Sequence, residues 1–270
     1  LPFIEAISKK FNSPVSILVK ENSKALEYLE KNKYIEKIII LERDNKSGRH
    51  DGITGSFKLI SDLKKYNFQK VFIFNSSLRF RLICKIAGIK EIFQYPLFQK
   101  KKQHLIKAAQ SFIKKELDMY IDSNPIIKLE SSLIENAKEK YNINSKQINI
   151  LLGIGGSGPT KRIPAYKFLN FMKMSINEYD CKFFLATGSN EEEQNILKDI
   201  LNSEFKEKCI PLDKVKINQT LPIIKNCSVA VCNDSSFSHL SAALNIPTIV
   251  LLSDTPLMYG SYSPNMYPII

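Results

Sequence analysis

The sequence predicts an α/β chain made of two βα-type halves around mostly parallel sheets. Three observations carry this. Short β-rich runs alternate with amphipathic helical patterns along most of the 270 residues. The alternation lapses once, between Asp118 and Gln147, where Ser123-Asn124-Pro125 and a polar helix end in Asn142-Ile143-Asn144. The length suits about two domains of 100–200 residues each.

Strands are expected at Val15–Val19, Lys37–Leu41, Lys70–Phe74 and Glu91–Gln94 in the first half. In the second they are expected at Gln147–Leu152, Cys181–Ala186, Lys208–Ile210, Ser228–Cys232 and Thr248–Leu252. These are short β-rich runs set between helical patterns. Helices fit between them at Ser23–Lys31, Ile53–Tyr66, Leu78–Ala87, Gln103–Leu117, Leu133–Tyr141, Ala165–Ile176, Glu191–Asn202 and Phe237–Leu244. In the fourth of these Leu105, Ile106, Ala109, Phe112 and Ile113 form one stripe opposite lysines, a period near 3.6 that reads as a core face. The domain boundaries read from this pattern are 1–125, a linker and helix at 126–146, and 147–270. The carboxyl ends of two such parallel sheets would face a cleft, where folds of this class bind ligands.

Composition narrows the function classes. With 44% hydrophobic and 24% charged residues the chain is globular. Its apolar runs are too short to cross a bilayer, Ile246–Leu252 being interrupted by Pro247 and Thr248. Five cysteines, odd in number and without a C-x-x-C pair, argue against a disulfide framework or zinc knuckle and for a cytoplasmic location. The opening Leu1-Pro2-Phe3-Ile4 lacks a signal-peptide pattern and reads as a truncated start.

The net charge of +12 is concentrated in the first half: residues 1–145 hold 27 Lys and Arg against 16 Asp and Glu, and residues 146–270 hold 12 against 11. Lys100, Lys101, Lys102, Lys107, Lys114 and Lys115 fall in one acid-poor window beside His104. Such a surface suits anionic lipid or phosphorylated ligands, or is simply a solvated lysine face. Scarce arginine and the lack of an RNA or zinc-finger motif argue against nucleic acid.

Two segments carry chemistry. The first is Gly153-Ile154-Gly155-Gly156-Ser157-Gly158-Pro159-Thr160-Lys161-Arg162-Ile163-Pro164, directly after a strand. It contains G-x-G-x-x-G, which raises a nicotinamide-dependent oxidoreductase. Pro159 and Pro164 delay the next helix, however, and no acid ends the following strand to hold a ribose. A phosphate-loop Lys-Ser/Thr is missing as well. What remains is a glycine loop followed by two cations, an arrangement that suits a diphosphate or is only a tight turn. The second segment runs from Asn233-Asp234-Ser235-Ser236 through His239-Leu240 to Asn245-Ile246-Pro247. Asp234 or Ser235 can cap a helix whose amino end favours an anion, and His239 lies one turn further on the same face. His50 and Asp51 can form a catalytic pair or a plain polar loop before a helix.

These segments, with Ala186-Thr187-Gly188-Ser189-Asn190-Glu191-Glu192-Glu193 between them, resemble glycosyltransferase family 9, the ADP-heptose:lipopolysaccharide heptosyltransferases. Weaker matches in the first half include Leu1-Pro2 and Asn75-Ser76-Ser77-Leu78-Arg79. The resemblance implies a GT-B fold, two Rossmann-like domains facing a central cleft. It implies an inverting, metal-independent transferase that uses no cofactor. That enzyme would move a heptose-type sugar from a nucleotide diphosphate donor, ADP-heptose, to a lipopolysaccharide core acceptor at the inner face of the cytoplasmic membrane. Carried over position by position, Ser157, Thr160, Lys161, Asp234, Ser235, Ser236 and His239 would hold the donor diphosphate, and Gly188, Asn190 and Glu191 the nucleoside. Asn75, Ser76, Arg79, Lys100, Lys101 and Lys102 would lie on the acceptor side.

The chain departs from the family at Ser236, usually Gly, and at Ser253-Asp254-Thr255, usually Gly-x-Thr. The family's general-base Asp would precede Leu1, and the chain would also stop short of the family's last helices. A protein of this kind that only binds a sugar nucleotide is the alternative reading.

Overall fold

The computed structural model describes residues 1–43, 47–96, 104–122, 124–156, 158–253 and 262–270. The chain divides into two compact units, Leu1–Asp122 and Ser123–Ile270.

In the first unit α1 (Pro2–Phe11) leads into β1 (Val15–Lys20), followed by α2 (Ala25–Leu29), β2 (Ile35–Leu41) and α3 (Gly52–Lys64). Then come β3 (Lys70–Ile73), α4 (Leu78–Ile86), β4 (Glu91–Gln94) and α5 (Leu105–Leu117). β1 pairs with β2 and β3 with β4, both in parallel. Each pair must therefore be joined by a crossover, which α2 and α4 supply. Leu59, Ile60 and Leu63 of α3 pack with Ile83 of α4 and Leu41 of β2 in one core. The expected lysine-backed stripe on α5 is core, with Ala109, Phe112, Ile113 and Leu117 buried. Phe112 meets Phe74 and Tyr95 edge-on at 5.3 and 5.1 Å, a favoured aromatic geometry.

In the second unit α6 (Ser131–Lys140) precedes β5 (Ile148–Gly153), α7 (Ala165–Glu178), β6 (Cys181–Ala186), α8 (Glu191–Leu201) and β7 (Cys209–Pro211). It continues with α9 (Ile217–Lys225), β8 (Val229–Asn233), α10 (Ser236–Ala243), β9 (Thr248–Leu251) and β10 (Met266–Ile269). The six strands form one sheet in the order β10-β9-β8-β5-β6-β7, with every pairing parallel. Sheets of this kind are buried on both faces, which is why β5, β6 and β8 read as near-continuous apolar runs. Phe183, Phe184 and Leu185 are completely buried, each contributing roughly 1.5–3 kcal/mol on leaving water. Strand order reverses between β5 and β8, and at such a switch point the connections leave in opposite directions and open a crevice at the carboxyl ends. Gly153 ends β5 beside Cys232 of β8.

The structure adds elements that the sequence pattern did not suggest. α1 opens on Pro2, pre-set for a first helical turn, and closes on Asn12 in the left-handed conformation. α9 carries Pro222 inside it, which reads as a breaker but removes only one main-chain bond in a helix buried along Thr220–Ile224. β10 contains Pro268 and lies at the sheet edge, where a missing N–H is tolerated. The segment at 126–146 belongs to the second unit: α6 packs on α9, and Asn226 Nδ2 donates to the Ile134 carbonyl at 2.9 Å.

Candidate functional site

The glycine loop leaves β5 at the switch point, and the Asn233-Asp234-Ser235 turn leaves the adjacent β8. They are tied together at the base, where Asn233 Nδ2 donates to the Ile154 carbonyl at 2.9 Å in the interior. Farther out, Lys161 Nζ donates to Asp234 Oδ2 at 2.5 Å, with the Asp234 side chain only 7% exposed and that of Lys161 29%. The register of two parallel strands thus turns residues 73 positions apart into one ion pair.

Glycine is required in the loop for close approach. A Cβ on Gly156 would lie 2.7 Å from the Lys161 carbonyl oxygen, and one on Gly155 would lie 2.6 Å from Glu193 Oε1. Glu193 is a site residue that the sequence reading missed. It is buried, and its carboxylate accepts from the Gly156 N–H and from Asn190 Nδ2, both at 2.5 Å. Asn190 caps α8 by accepting the Glu193 N–H at 2.9 Å. Asn190-x-x-Glu193 is a capping-box pattern, and the local role that pattern suggests concealed the longer reach of Glu193 to the loop. Gln194 Nε2 donates to the Gly188 carbonyl at 2.8 Å, which draws Gly188 into the same cluster. Glu191 is exposed in the first turn of α8 and contributes charge there without burial.

Thr160 and Lys161 lie in a single 3-10 turn, Pro159–Lys161, and the Thr160 carbonyl accepts from Ser253 Oγ. Arg162 Nη1 donates to the Gly156 carbonyl at 3.2 Å, so the second cation braces the loop. Ser235 occupies the N-cap of α10, yet its hydroxyl makes no capping bond; its Oγ is buried without a hydrogen-bond partner. The expected side-chain cap is therefore replaced by an unengaged hydroxyl at the positive end of the helix. Among the described residues Thr187 Oγ1 and Asn233 Oδ1 are likewise buried without partners, which natural interiors rarely tolerate unless a ligand or water completes them. Ser236 is exposed at the start of α10.

His239 stacks on Tyr262, ring centroids 5.5 Å apart, and shares a 2.7 Å bond between Nδ1 and Tyr262 Oη. Burial lowers the His239 pKa, with Lys161 adding to the effect and Asp234 opposing it, so the ring is neutral near pH 7. Burial also pushes the Tyr262 phenol up to about 12. Tyr262 was another omission of the sequence reading, since nothing in a loop position announces a partner for a histidine on another element. Ser157, Lys100, Lys101 and Lys102 lie outside the described residues.

In the first unit the structure separates what the sequence had paired. Asp51 does not engage His50: its carboxylate accepts from Arg43 Nε at 3.0 Å and from the Gly48 N–H at 3.1 Å. His50 is 2% exposed, accepts the Glu42 N–H at Nδ1 and faces Asp62 Oδ2 from Nε2 at 3.2 Å. Asp62 also accepts from Arg49 and Lys65, and the Arg49 hydrogen bond is the main reason its carboxyl sits well below the usual range. Arg79 commits its guanidinium to the carbonyls of His50 and Gly52 and to Ser56 Oγ, at 2.7, 3.3 and 3.0 Å, which holds α4 to the start of α3. Asn75 accepts the Ser77 N–H and shapes the turn before α4, and Ser76 is exposed beside it. Among the described residues no group of three or more His, Cys, Asp and Glu is gathered that could hold a metal ion, and no helix is long and apolar enough to cross a membrane.

A partly buried lysine, an unengaged hydroxyl, a helix amino end and a neutral histidine around a glycine loop can together hold a diphosphate. Comparison with known proteins points the same way. The family model for glycosyltransferase family 9 (heptosyltransferase) matches residues 73–267. Lipopolysaccharide heptosyltransferase 1 of Campylobacter coli is 22% identical over 97% of this chain and 82% of its own length. Lipooligosaccharide heptosyltransferase 2 of Haemophilus influenzae is 31% identical over 41% of this chain, a match that spans 30% of that protein. Among solved structures, the E. coli ADP-heptose lipopolysaccharide heptosyltransferase II superposes with a TM-score of 0.75 at 17% identity, covering 99% of this chain and 85% of that one. E. coli heptosyltransferase WaaC with ADP gives 0.70 at 14% identity, covering 99% and 87%. These likenesses establish the α/β, GT-B type fold. With the family model covering most of its length, the chain belongs to glycosyltransferase family 9, the heptosyltransferases.

Proposed function

We propose that the chain moves a heptose-type sugar from ADP-heptose to a hydroxyl of a lipopolysaccharide core acceptor, with inversion and without a metal. The observation that carries this is the Lys161–Asp234 pair at 2.5 Å, set beside the amino end of α10 at the β5/β8 switch point. The second unit is then the donor side. Lys161 neutralises the diphosphate, the first-turn amides of α10 with Ser235 Oγ bind its oxygens, and Gly188, Asn190 and Glu193 lie on the nucleoside side. In this reading the Tyr262 hydroxyl donates in the 2.7 Å bond to Nδ1, which leaves the neutral His239 its proton on Nε2 to donate to a phosphate oxygen.

The step is a single displacement. The acceptor oxygen bonds to the anomeric carbon as the bond from that carbon to the diphosphate oxygen breaks, and ADP leaves. The acceptor proton passes to a carboxylate, which the family resemblance places before Leu1. Charge grows on the departing diphosphate, so fixed donors aimed at it give the largest part of the rate gain.

Calorimetric titration with ADP, UDP and NAD, followed by a transfer assay with ADP-heptose, tests the reading. Selective ADP binding that weakens in Lys161→Ala and His239→Ala supports it. Equal binding of all three nucleotides, or ADP binding indifferent to both substitutions, refutes it.

A further inference from the structure

The first unit carries an exposed apolar surface that its fold does not use. On α3, Ile53 and Phe57 are 79% and 64% exposed, one helical turn apart. On α4, Leu78, Leu82 and Ile86 follow the same four-residue spacing and are 44–55% exposed. The two rows lie on neighbouring helices that pack together. Arg79 bonds Ser56 and Gly52, which aligns the start of α4 with the start of α3, and Ile83, Leu59, Ile60 and Leu63 fill the seam beneath.

The same two helices carry exposed cations. Lys58 and Lys64 are exposed on α3, and Arg81 and Lys85 on α4. α4 has no acidic residue, and the only one on α3, Asp62, is held by Arg49, His50 and Lys65. Projecting Phe, Leu and Ile side chains flanked by lysine and arginine match an interfacial helix face, whose apolar groups enter the acyl boundary while the cations meet headgroup phosphates. A second copy of this face would set four unpaired cations against their own images, so self-association is disfavoured.

We propose that the α3–α4 face docks the protein on an anionic lipid bilayer, with Ile53, Phe57, Leu78, Leu82 and Ile86 as the inserted residues and Lys58, Lys64, Arg81 and Lys85 as the headgroup contacts. This names the surface for the membrane setting that a lipopolysaccharide acceptor implies, and to that extent it rests on the proposed function. Vesicle binding needs neither donor nor turnover, however. A chain that binds vesicles but does not bind ADP selectively overturns the donor-site reading alone.

The test is co-sedimentation of the 270-residue chain with phosphatidylcholine vesicles, with and without phosphatidylglycerol, at low and high salt. Binding is expected on the anionic vesicles and is expected to fall with salt. Each surface cation contributes about five-fold to partitioning, so Arg81→Ser/Lys85→Ser loses about 25-fold. Phe57→Ser/Leu82→Ser loses about ten-fold or more while charge is unchanged. Lys173→Ser/Lys198→Ser removes the same charge from exposed positions on α7 and α8 and should change binding less than two-fold if the face is specific. Unchanged circular dichroism and melting confirm that each variant folds. The proposal is overturned if anionic and neutral vesicles bind alike, if Phe57→Ser/Leu82→Ser binds as the parent does, or if the α7/α8 variant loses as much as the α4 variant. It is also overturned if sedimentation shows a dimer that the Phe57/Leu82 variant abolishes with no loss of vesicle binding.

Discussion

Replacing Lys161 by Met tests both the stability and the ligand chemistry of the site. The pair is short, 2.5 Å, and asymmetric in burial, with Asp234 at 7% and Lys161 at 29% exposure. Breaking a fully buried pair by removing one partner costs about 3–5 kcal/mol, and an exposed pair is worth about 0.2–1 kcal/mol. Asp234 has interactions beyond Lys161, so the expected cost falls between these limits, at about 2 kcal/mol. For a unit of this size that lowers Tm by about 4–8 °C, read by differential scanning calorimetry. Most of the cost is the carboxylate left uncompensated, so adding Asp234→Asn should restore about 1–2 kcal/mol. ADP affinity should fall about 10- to 100-fold in Lys161→Met, the worth of one charged hydrogen bond. A Lys161→Met/Asp234→Asn protein no more stable than Lys161→Met would refute the argument from uncompensated charge. Unchanged ADP affinity would remove Lys161 from the donor site.

Three further outcomes are expected. Gly156→Ala places a Cβ 2.7 Å from the Lys161 carbonyl oxygen, and because backbone cannot swing aside it should cost about 1–3 kcal/mol in urea unfolding and weaken ADP binding; a neutral result would mean that the loop opens freely. Asp62 is held charged chiefly by Arg49, so its contribution is present above the unfolded carboxylate pKa and is lost as pH falls through the lower folded value. Asp62→Asn should flatten the acid limb of the stability profile, and an unaltered limb would contradict this. His239 shifts the opposite way from a paired histidine: burial lowers its pKa, so the unfolded chain takes the proton first and stability declines as pH drops below about 6.5. In His239→Gln that decline should shrink, as followed by thermal melts between pH 7.5 and 5.

The origin of each feature explains where sequence reasoning succeeded. The ends of β6 are legible because a buried parallel strand is a near-continuous apolar run, and that signal is local. α9 and β10 went unread because Pro222 and Pro268 are breakers by propensity, and only burial in the sheet layers or an edge position makes them acceptable. In the site, Lys161, Asp234, Ser235 and His239 were legible as residue types beside a glycine loop and a helix start. The roles of Glu193 and Tyr262 were not, because each acts on a group far away in the sequence.

The alternation of βα units, the concentration of positive charge in the first half, and the two anion-type turns with their family resemblance are all legible along the chain. Periodicity, composition and turn chemistry are properties of neighbouring residues and can be read along the chain. The tertiary structure alone decided that the two turns meet, since the reversal of strand order between β5 and β8 is what brings Lys161 to Asp234. It also decided that His50 faces Asp62 and not Asp51, and that Arg79 binds main-chain carbonyls. The apolar rows on α3 and α4 remain exposed because the hydrophobic seam between those helices is already filled by Leu59, Ile60, Leu63 and Ile83. Packing settles such contacts, because strand register and helix alignment fix distances between groups whose separation along the chain carries no information about them.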